Sequence, residues 1–279
     1  MKPKSKFVLI SGASTGIGYG AAKELIHRGY TVFGSVRKKE DGERVGSELG
    51  GRFVPLLFDV TDSRAINDAF NLTKEVLKDE GLGGVINNSG ISVSGPVELL
   101  TVEEFQHNFD VNVFGVLRVI KTFLPLLGAS SQITTSPGRI LNISSVAGKF
   151  CAPYMAPYNG TKHALEGISN SLRLEMERYG IEVVIVGPGP VQTPIWDKGT
   201  LDRFKGTTYI DSLTKFFTKF VADGKKGMPL DECSRQIADI FEVERPKHRY
   251  AVVQSKFFNW ALPRILPQKA LDDYFRKQM

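Results

Sequence analysis

Short apolar runs alternate with longer amphipathic stretches through most of the chain. Phe7-Val8-Leu9-Ile10 holds no polar residue, the pattern of a strand covered on both faces. A helix is predicted from Gly16 to Arg28, closed by Gly29. Thr31 to Val36 is β-branched and apolar and reads as a second strand. Phe53 to Phe58 reads as a third. Pro55 inside it has no N–H for a ladder, so this strand belongs at an edge or carries a bulge. Thr61 or Asp62 offers an N-cap for a helix to about Glu80. Val85-Ile86 forms a strand that ends in the polar turn Asn87-Asn88-Ser89-Gly90. Thr101 opens a further helix, and a long apolar helix is predicted from about Asn112 to Leu127. Arg139 to Ser144 is a strand, Pro157 suits the first turn of a helix reaching about Tyr179, and Ile181 to Val186 is another strand.

This repeated strand-helix-strand order predicts an α/β fold, a doubly wound parallel sheet with helices on both faces. No repeat or linker divides residues 1–279, so one domain is expected. Pro190 to about Met228 breaks the alternation and carries Trp196, Phe204, Tyr209, Phe216, Phe217 and Phe220. It is read as an insertion, helical in part, that either covers the site or forms a surface subdomain with its own small core. Its aromatics suggest a lipophilic, steroid-like or retinoid-like substrate, but they would serve equally as the insertion's own packing. From Lys256 the chain carries Phe257, Phe258, Trp260, Leu262, Ile265 and Leu266 with Arg264 and Lys269, divided by Pro263 and Pro267. Such a tail either touches a membrane surface weakly or packs over the pocket or a dimer interface.

Composition narrows the partners. The 279 residues are 42% hydrophobic, enough for a sizeable core. A net charge of +6 favours anionic ligands such as a cofactor phosphate. The basic residues are scattered, so no nucleic-acid surface is expected. Cys151 and Cys233 stand far apart, and His27, His107, His163 and His248 are isolated, so neither a disulfide framework nor a metal site is predicted. That cysteine usage fits a reducing cytoplasm. No apolar stretch approaches the roughly 20 residues that span a bilayer.

Candidate chemistry lies at two places. Ser11-Gly12-Ala13-Ser14-Thr15-Gly16-Ile17-Gly18 follows the first strand and opens the first helix. Gly12 permits a tight turn, Gly16 lets backbone approach a pyrophosphate, and Gly18 allows close helix-to-strand packing. The helix start offers free N–H groups to phosphates. The spacing is neither G-x-G-x-x-G nor a nucleoside triphosphate loop. After the second strand come Ser35-Val36-Arg37-Lys38-Lys39, with no acid before Glu40, and Arg37 can pair with a 2′-phosphate, which favours NADP(H). The second place is Tyr158-Asn159-Gly160-Thr161-Lys162, with Ser145 thirteen residues before the tyrosine. Four residues apart on a helix, Tyr158 and Lys162 share a face. The ammonium is expected to lower the phenol's pKa and Ser145 to hold a carbonyl oxygen.

Taken together, these features resemble the short-chain dehydrogenase/reductase family over about residues 5 to 195, and its fold is a Rossmann-type sheet. Asn87-Asn88-Ser89-Gly90 matches its N-N-A-G motif with Ser89 in place of alanine, and Pro188-Gly189 matches its turn after the sixth strand. The resemblance implies a catalytic set of Asn112, Ser145, Tyr158 and Lys162, with Asn112 supporting a water-linked proton path to the lysine. It implies NADP(H) contacts from Gly12, Ser14, Thr15, Gly16, Ile17, Gly18 and Arg37. Asp59 and Val60 would flank the adenine, Asn88 and Gly90 would line the groove, and Tyr158 and Lys162 would meet the nicotinamide ribose. Pro188 and Gly189 would also contact the cofactor, and Val191 and Thr193 would meet the carboxamide. The implied activity is interconversion of a ketone or aldehyde with an alcohol, in a homodimer or homotetramer built through the long helices. The alternative is a non-catalytic NADP(H)-binding regulator or scaffold, which would not need the acid/base set.

Overall fold

In the computed structural model, which describes residues 3–129, 136–197 and 201–279, the first apolar run becomes strand β1 (Phe7–Ile10). Val8 and Ile10 face one side, packing with Leu25, Ile237 and Phe241. Leu9 faces the other, among Ile66, Val119 and Phe123. Strand side chains alternate, so covering both faces demands an unbroken apolar run.

Around β1 the sheet is built from β2 (Thr31–Val36), β3 (Phe53–Leu57), β4 (Gly84–Asn87), β5 (Arg139–Ile143), β6 (Glu182–Pro188) and β7 (Arg249–Val252). The order is β3-β2-β1-β4-β5-β6-β7, and every pairing is parallel. The chain turns from one half of the sheet to the other between β1 and β4, where the carboxyl ends open a crevice. Pro55 lies in β3, the edge strand, opposite Gly34, where its missing N–H costs no ladder bond. Pro188 belongs to β6 and pairs with Val252, and the Gly189 N–H continues the ladder to Val252 O at 3.0 Å. The strand therefore takes in Pro188, and the turn begins at Gly189.

Helix α1 (Gly16–His27) follows the glycine turn, and Gly29 takes φ +85° beyond its end. Helix α2 (Lys39–Leu49) was not predicted; it buries only Gly42 and Val45, too little for an apolar stripe. Asp62 caps α3 (Ser63–Leu77), accepting from the Arg64 and Ala65 amides. Thr101 and Glu104 form a capping box that starts α4 (Val102–Phe109). That helix does not stop before Asn112. It continues through a π-turn (Asp110–Phe114) into α5 (Gly115–Phe123), so the two expected helices are one rod with Asn112 in the wide turn. Helix α6 (Ala156–Met176) begins with Pro157 in its first turn.

The region 190–228 is pinched at its base by a bridge between Val191 and Met228, and residues 198–200 lie outside the described residues. It contains α7 (Ile210–Lys225), and α8 (Leu230–Glu242) then packs on α1. Beyond β7 the tail forms a π-turn (Phe257–Ala261), α9 (Leu262–Ile265) and α10 (Gln268–Arg276). Pro267 separates the two helices because the chain there has left helical backbone. No helix among the described residues is long and apolar enough to cross a membrane.

Candidate active site

The glycine turn sits at the carboxyl end of β1, and three neighbours fix its shape. Gly12 N donates to Ser35 Oγ at 2.8 Å, and Asn88 Nδ2 donates to the carbonyls of Ser11 and Gly12 at 3.1 and 3.0 Å. Ser11 Oγ in turn accepts from the amides of Asn88 and Ser89. Gly12 and Gly16 take φ of +69° and +60°, the left-handed region that favours glycine. A Cβ on Gly18 would stand 2.2 Å from the Gly12 carbonyl oxygen, so α1 can lie this close only without a side chain. Thr15, the N-cap of α1, is exposed and makes no side-chain cap bond, so the first amides of the helix are left for an acceptor. These features fit a pyrophosphate. Ser14 and Ile17 lie half-buried in the same turn.

Arg37 is well exposed, and its guanidinium reaches only within 4.0 Å of Asp59 Oδ2. Asp59 mainly braces its own turn, accepting from the Thr61 amide and hydroxyl. Val60 packs its side chain toward Gly115 of α5. Arg44 was missed from sequence: from α2 it donates to Ser14 O at 2.7 Å, tying that helix to the glycine turn. Thr193 lies across from Gly16, close enough that a Cβ there would meet it at 3.6 Å. Val191 is buried, and its carbonyl accepts from Trp196 Nε1.

At the carboxyl end of β5, helix α6 presents one face to residues 143–145. Lys162 Nζ donates to Ile143 O at 2.9 Å, and the hydroxyl of Ser145 lies beside the phenol of Tyr158. Ser145 Oγ also accepts from Ala147 N at 3.1 Å, which sets the turn after it. Lys162 Nζ stands 5.6 Å from the Tyr158 ring centroid. Asn112 is buried in its π-turn and pairs like a peptide with Ile91, Oδ1 accepting from Ile91 N and Nδ2 donating to Ile91 O, both at 2.8 Å. Its Nδ2 also donates to Thr161 Oγ1 at 3.1 Å. The side chain thus ties the loop at Gly90 and Ile91 to the tyrosine-bearing helix. Asn108, one turn earlier, does the same for Val93 and Thr161 and was not foreseen.

The electrostatics differ from expectation. Burial holds the Tyr158 phenol above its ordinary value, and the Ser145 hydroxyl is what pulls it down. The Lys162 ammonium does not: it faces the Ile143 carbonyl, and its own burial lowers it to about 8, against a raising influence of the Glu166 carboxylate.

The region 190–228 reaches the loops at this end of the sheet. Phe204 reaches Gly95, Tyr209 donates to Glu98 Oε2, Tyr154 donates to Ser212 Oγ at 2.9 Å, and Arg203 pairs with Glu104. Its aromatics largely pack on each other: Phe216 stacks on Phe220 with centroids 5.5 Å apart, Phe217 meets both edge-on, and Trp196 meets Phe220 edge-on. In the tail, Trp260 turns inward to Phe150 and Arg249, while Phe257, Phe258 and Ile265 are exposed.

The profile of short chain dehydrogenases matches residues 6–203. The NADPH-dependent 3-dehydrocapnine reductase of Ornithobacterium rhinotracheale is 33% identical over 276 residues, covering 98% of this chain and 97% of its own. Estradiol 17-beta-dehydrogenase 2 of Mus musculus is 36% identical over 204 residues, 69% of this chain and 51% of its own. A short-chain dehydrogenase from Streptomyces avermitilis superposes with a TM-score of 0.77 at 25% identity, covering 98% of this chain and 94% of that one. With the glycine turn, the parallel sheet and the serine–tyrosine–lysine face already in place, the chain belongs to the short-chain dehydrogenase/reductase family, whose oxidoreductases use NAD(P) to interconvert carbonyls and alcohols.

Proposed function

We propose that this chain is an NADP(H)-dependent reductase or dehydrogenase for a lipophilic ketone, aldehyde or alcohol. The observation that carries the reading is the single face of α6 that sets the Tyr158 phenol beside the Ser145 hydroxyl and holds Lys162 at the Ile143 carbonyl. The dinucleotide, when bound, supplies or accepts the hydride. Gly12, Ser14, Thr15, Gly16, Ile17 and Gly18 would hold its phosphates, with Asp59, Val60, Asn88, Gly90, Pro188, Gly189, Val191 and Thr193 bordering the groove.

The chain's own residues handle the proton. In reduction Tyr158 donates its phenolic proton to the substrate oxygen, and in oxidation it removes the hydroxyl proton. Ser145 holds the same oxygen and stabilises its developing charge. Lys162 supplies a cation on the same helix face and a donor toward the ribose. Asn112 keeps the loop at Gly90 and Ile91 fixed to this helix. The exposed guanidinium of Arg37 supports a preference for a 2′-phosphate, since its link to Asp59 is loose.

A lipophilic substrate is supported by exposed apolar Ile195 in the insertion and Val97 beside its contact at Glu98, although the insertion's aromatics are mostly spent on each other. The protein would act in the cytoplasm as a homodimer or homotetramer, with exposed Phe114 and Leu174 on its long helices available to a second copy. A panel of carbonyls with NADPH and of alcohols with NADP+, read at the nicotinamide absorbance band, tests the reading. Turnover of hydrophobic ketones is expected. Turnover confined to small polar carbonyls would refute the lipophilic part, and no turnover of any would refute the activity.

A further inference from the structure

Helix α6 carries a third group on its tyrosine–lysine face. Glu166 lies one turn beyond Lys162 and is buried. Its carboxylate accepts from Ser144 Oγ at 3.1 Å and from Arg249 through Nε and Nη2 at 2.8–3.0 Å. Lys149 Nζ, from the turn after the serine, stands 2.9 Å from the same carboxylate. Arg249 rises from β7, and its Nη2 also donates to the backbone carbonyl of Ser145 at 3.1 Å. The indole of Trp260, from the tail, covers that guanidinium with its ring centroid 4.0 Å away.

Residues 143–145 are therefore fastened to α6 rung by rung. Lys162 holds Ile143 O, Glu166 holds Ser144 Oγ, and Tyr158 meets Ser145, while Arg249 braces the serine's carbonyl from behind. A buried, bidentate arginine–carboxylate pair is rigid and directional. Building on the activity proposed above, we infer that Glu166 and Arg249 are positioning residues: their pair fixes the distance between the Ser145 hydroxyl and the Tyr158–Lys162 face, and the carboxylate sustains the charge of the lysine ammonium. Neither residue touches substrate.

The sign of the charge effect follows from the neighbours of Lys162. Tyr158 and Glu166 face it from its own helix. Arg249 from β7 and Lys149 from the turn after Ser145 reach it through Glu166. Removing the carboxylate takes away the influence that raises the ammonium's pKa. The ammonium is then lost at lower pH, and the alkaline limb of the kcat profile moves down.

Glu166→Gln, Arg249→Met, Arg249→Lys and the double variant Glu166→Gln/Arg249→Met test this, with Tyr158→Phe alongside. Each is assayed for NADPH affinity by fluorescence, thermal unfolding, and kcat and KM across pH. Glu166→Gln and Arg249→Met should keep NADPH affinity yet lose about tenfold or more in kcat, since small misplacements of reacting groups cost that much. In Glu166→Gln the alkaline limb should also shift down, and Arg249→Lys should recover part of the lost kcat. The double variant leaves no uncompensated charge in the pair, so it should regain thermal stability while staying slow. Wild-type kcat in the single variants, an unmoved alkaline limb, or a double variant whose kcat recovers with its stability would each overturn the inference. If Tyr158→Phe is itself fully active, the proposed activity falls instead. If Tyr158→Phe is inactive and the other variants behave as wild type, only the positioning role falls.

Discussion

Replacing Gly18 by alanine tests whether the glycine turn is built for close approach. The added methyl carbon would stand 2.2 Å from the Gly12 carbonyl oxygen and 2.4 Å from Asn88 Nδ2. Neither neighbour is a loose side-chain end. The first is backbone, and the second is already bonded to that same carbonyl at 3.0 Å. Crowding of this kind costs about 1–3 kcal/mol. Alanine's better helix propensity returns about 1 kcal/mol, because Gly18 lies inside α1. The net destabilisation is therefore at most about 2 kcal/mol. The larger effect falls on binding, since the turn must shift to make room. NADPH affinity should drop by about tenfold or more, roughly 1.4 kcal/mol. Gly46→Ala is the matched control. It also sits in a helix, α2, but has nothing within 4 Å of its Cβ position, so it should stabilise by about 0.5–1 kcal/mol and leave NADPH alone. Urea unfolding and NADPH fluorescence titration read both quantities. A Gly18→Ala protein that binds NADPH like wild type and unfolds no earlier than Gly46→Ala would refute the close-approach argument.

Arg37→Asp should weaken NADPH far more than NADH in parallel titrations, and equal losses would mean that the loop does not read the phosphate. Lys162→Met should be nearly inactive yet more stable than wild type at pH 7, by about 3 kcal/mol at most, because the native ammonium is buried and depressed to about 8. The sign is fixed by proton binding: between about 8 and the ordinary lysine value the unfolded chain holds more protons, so wild-type stability should rise with pH across that window and the variant's should not. Urea midpoints that stay parallel through the window would contradict this. For the tail with its exposed Phe257, Phe258 and Ile265, the membrane-surface alternative predicts weak co-flotation with anionic vesicles that is lost on truncation beyond Lys256, and no flotation at all would leave the packing alternative.

Much of the fold was legible because local pattern and global packing agree. The all-apolar β1 run requires two covered faces; Pro55 left an edge or a bulge, and β3 is the edge; of Thr61 and Asp62 it is Asp62 that caps α3, and Thr101 caps α4 as expected. Helix α2 escaped notice because it lies on the surface with almost nothing to bury. The division of the long helix before Asn112 was wrong because the π-turn there keeps the rod continuous, and a wide turn leaves no composition signal. At the site, the spacing of Ser145, Tyr158 and Lys162 was readable, since α6 puts the latter two on one face. What sequence could not show were pairings between distant elements. Glu166 with Arg249, Arg44 with the Ser14 carbonyl and Asn88 with the glycine turn each join residues that no periodicity connects. The acidity of the phenol was misjudged for the same reason, as burial and the direction of the ammonium are three-dimensional quantities. Glu166 did leave one clue, a carboxylate at helical spacing on the face that already held a cation.

The central claim is that one phenol exchanges the proton while its neighbours hold the substrate oxygen, and Tyr158→Phe addresses it most directly. Single-turnover and steady-state assays of this variant, with its NADPH affinity measured in parallel, should show a nucleotide-competent protein that has lost nearly all reduction and oxidation. Catalysis at the wild-type rate in that variant would contradict the account.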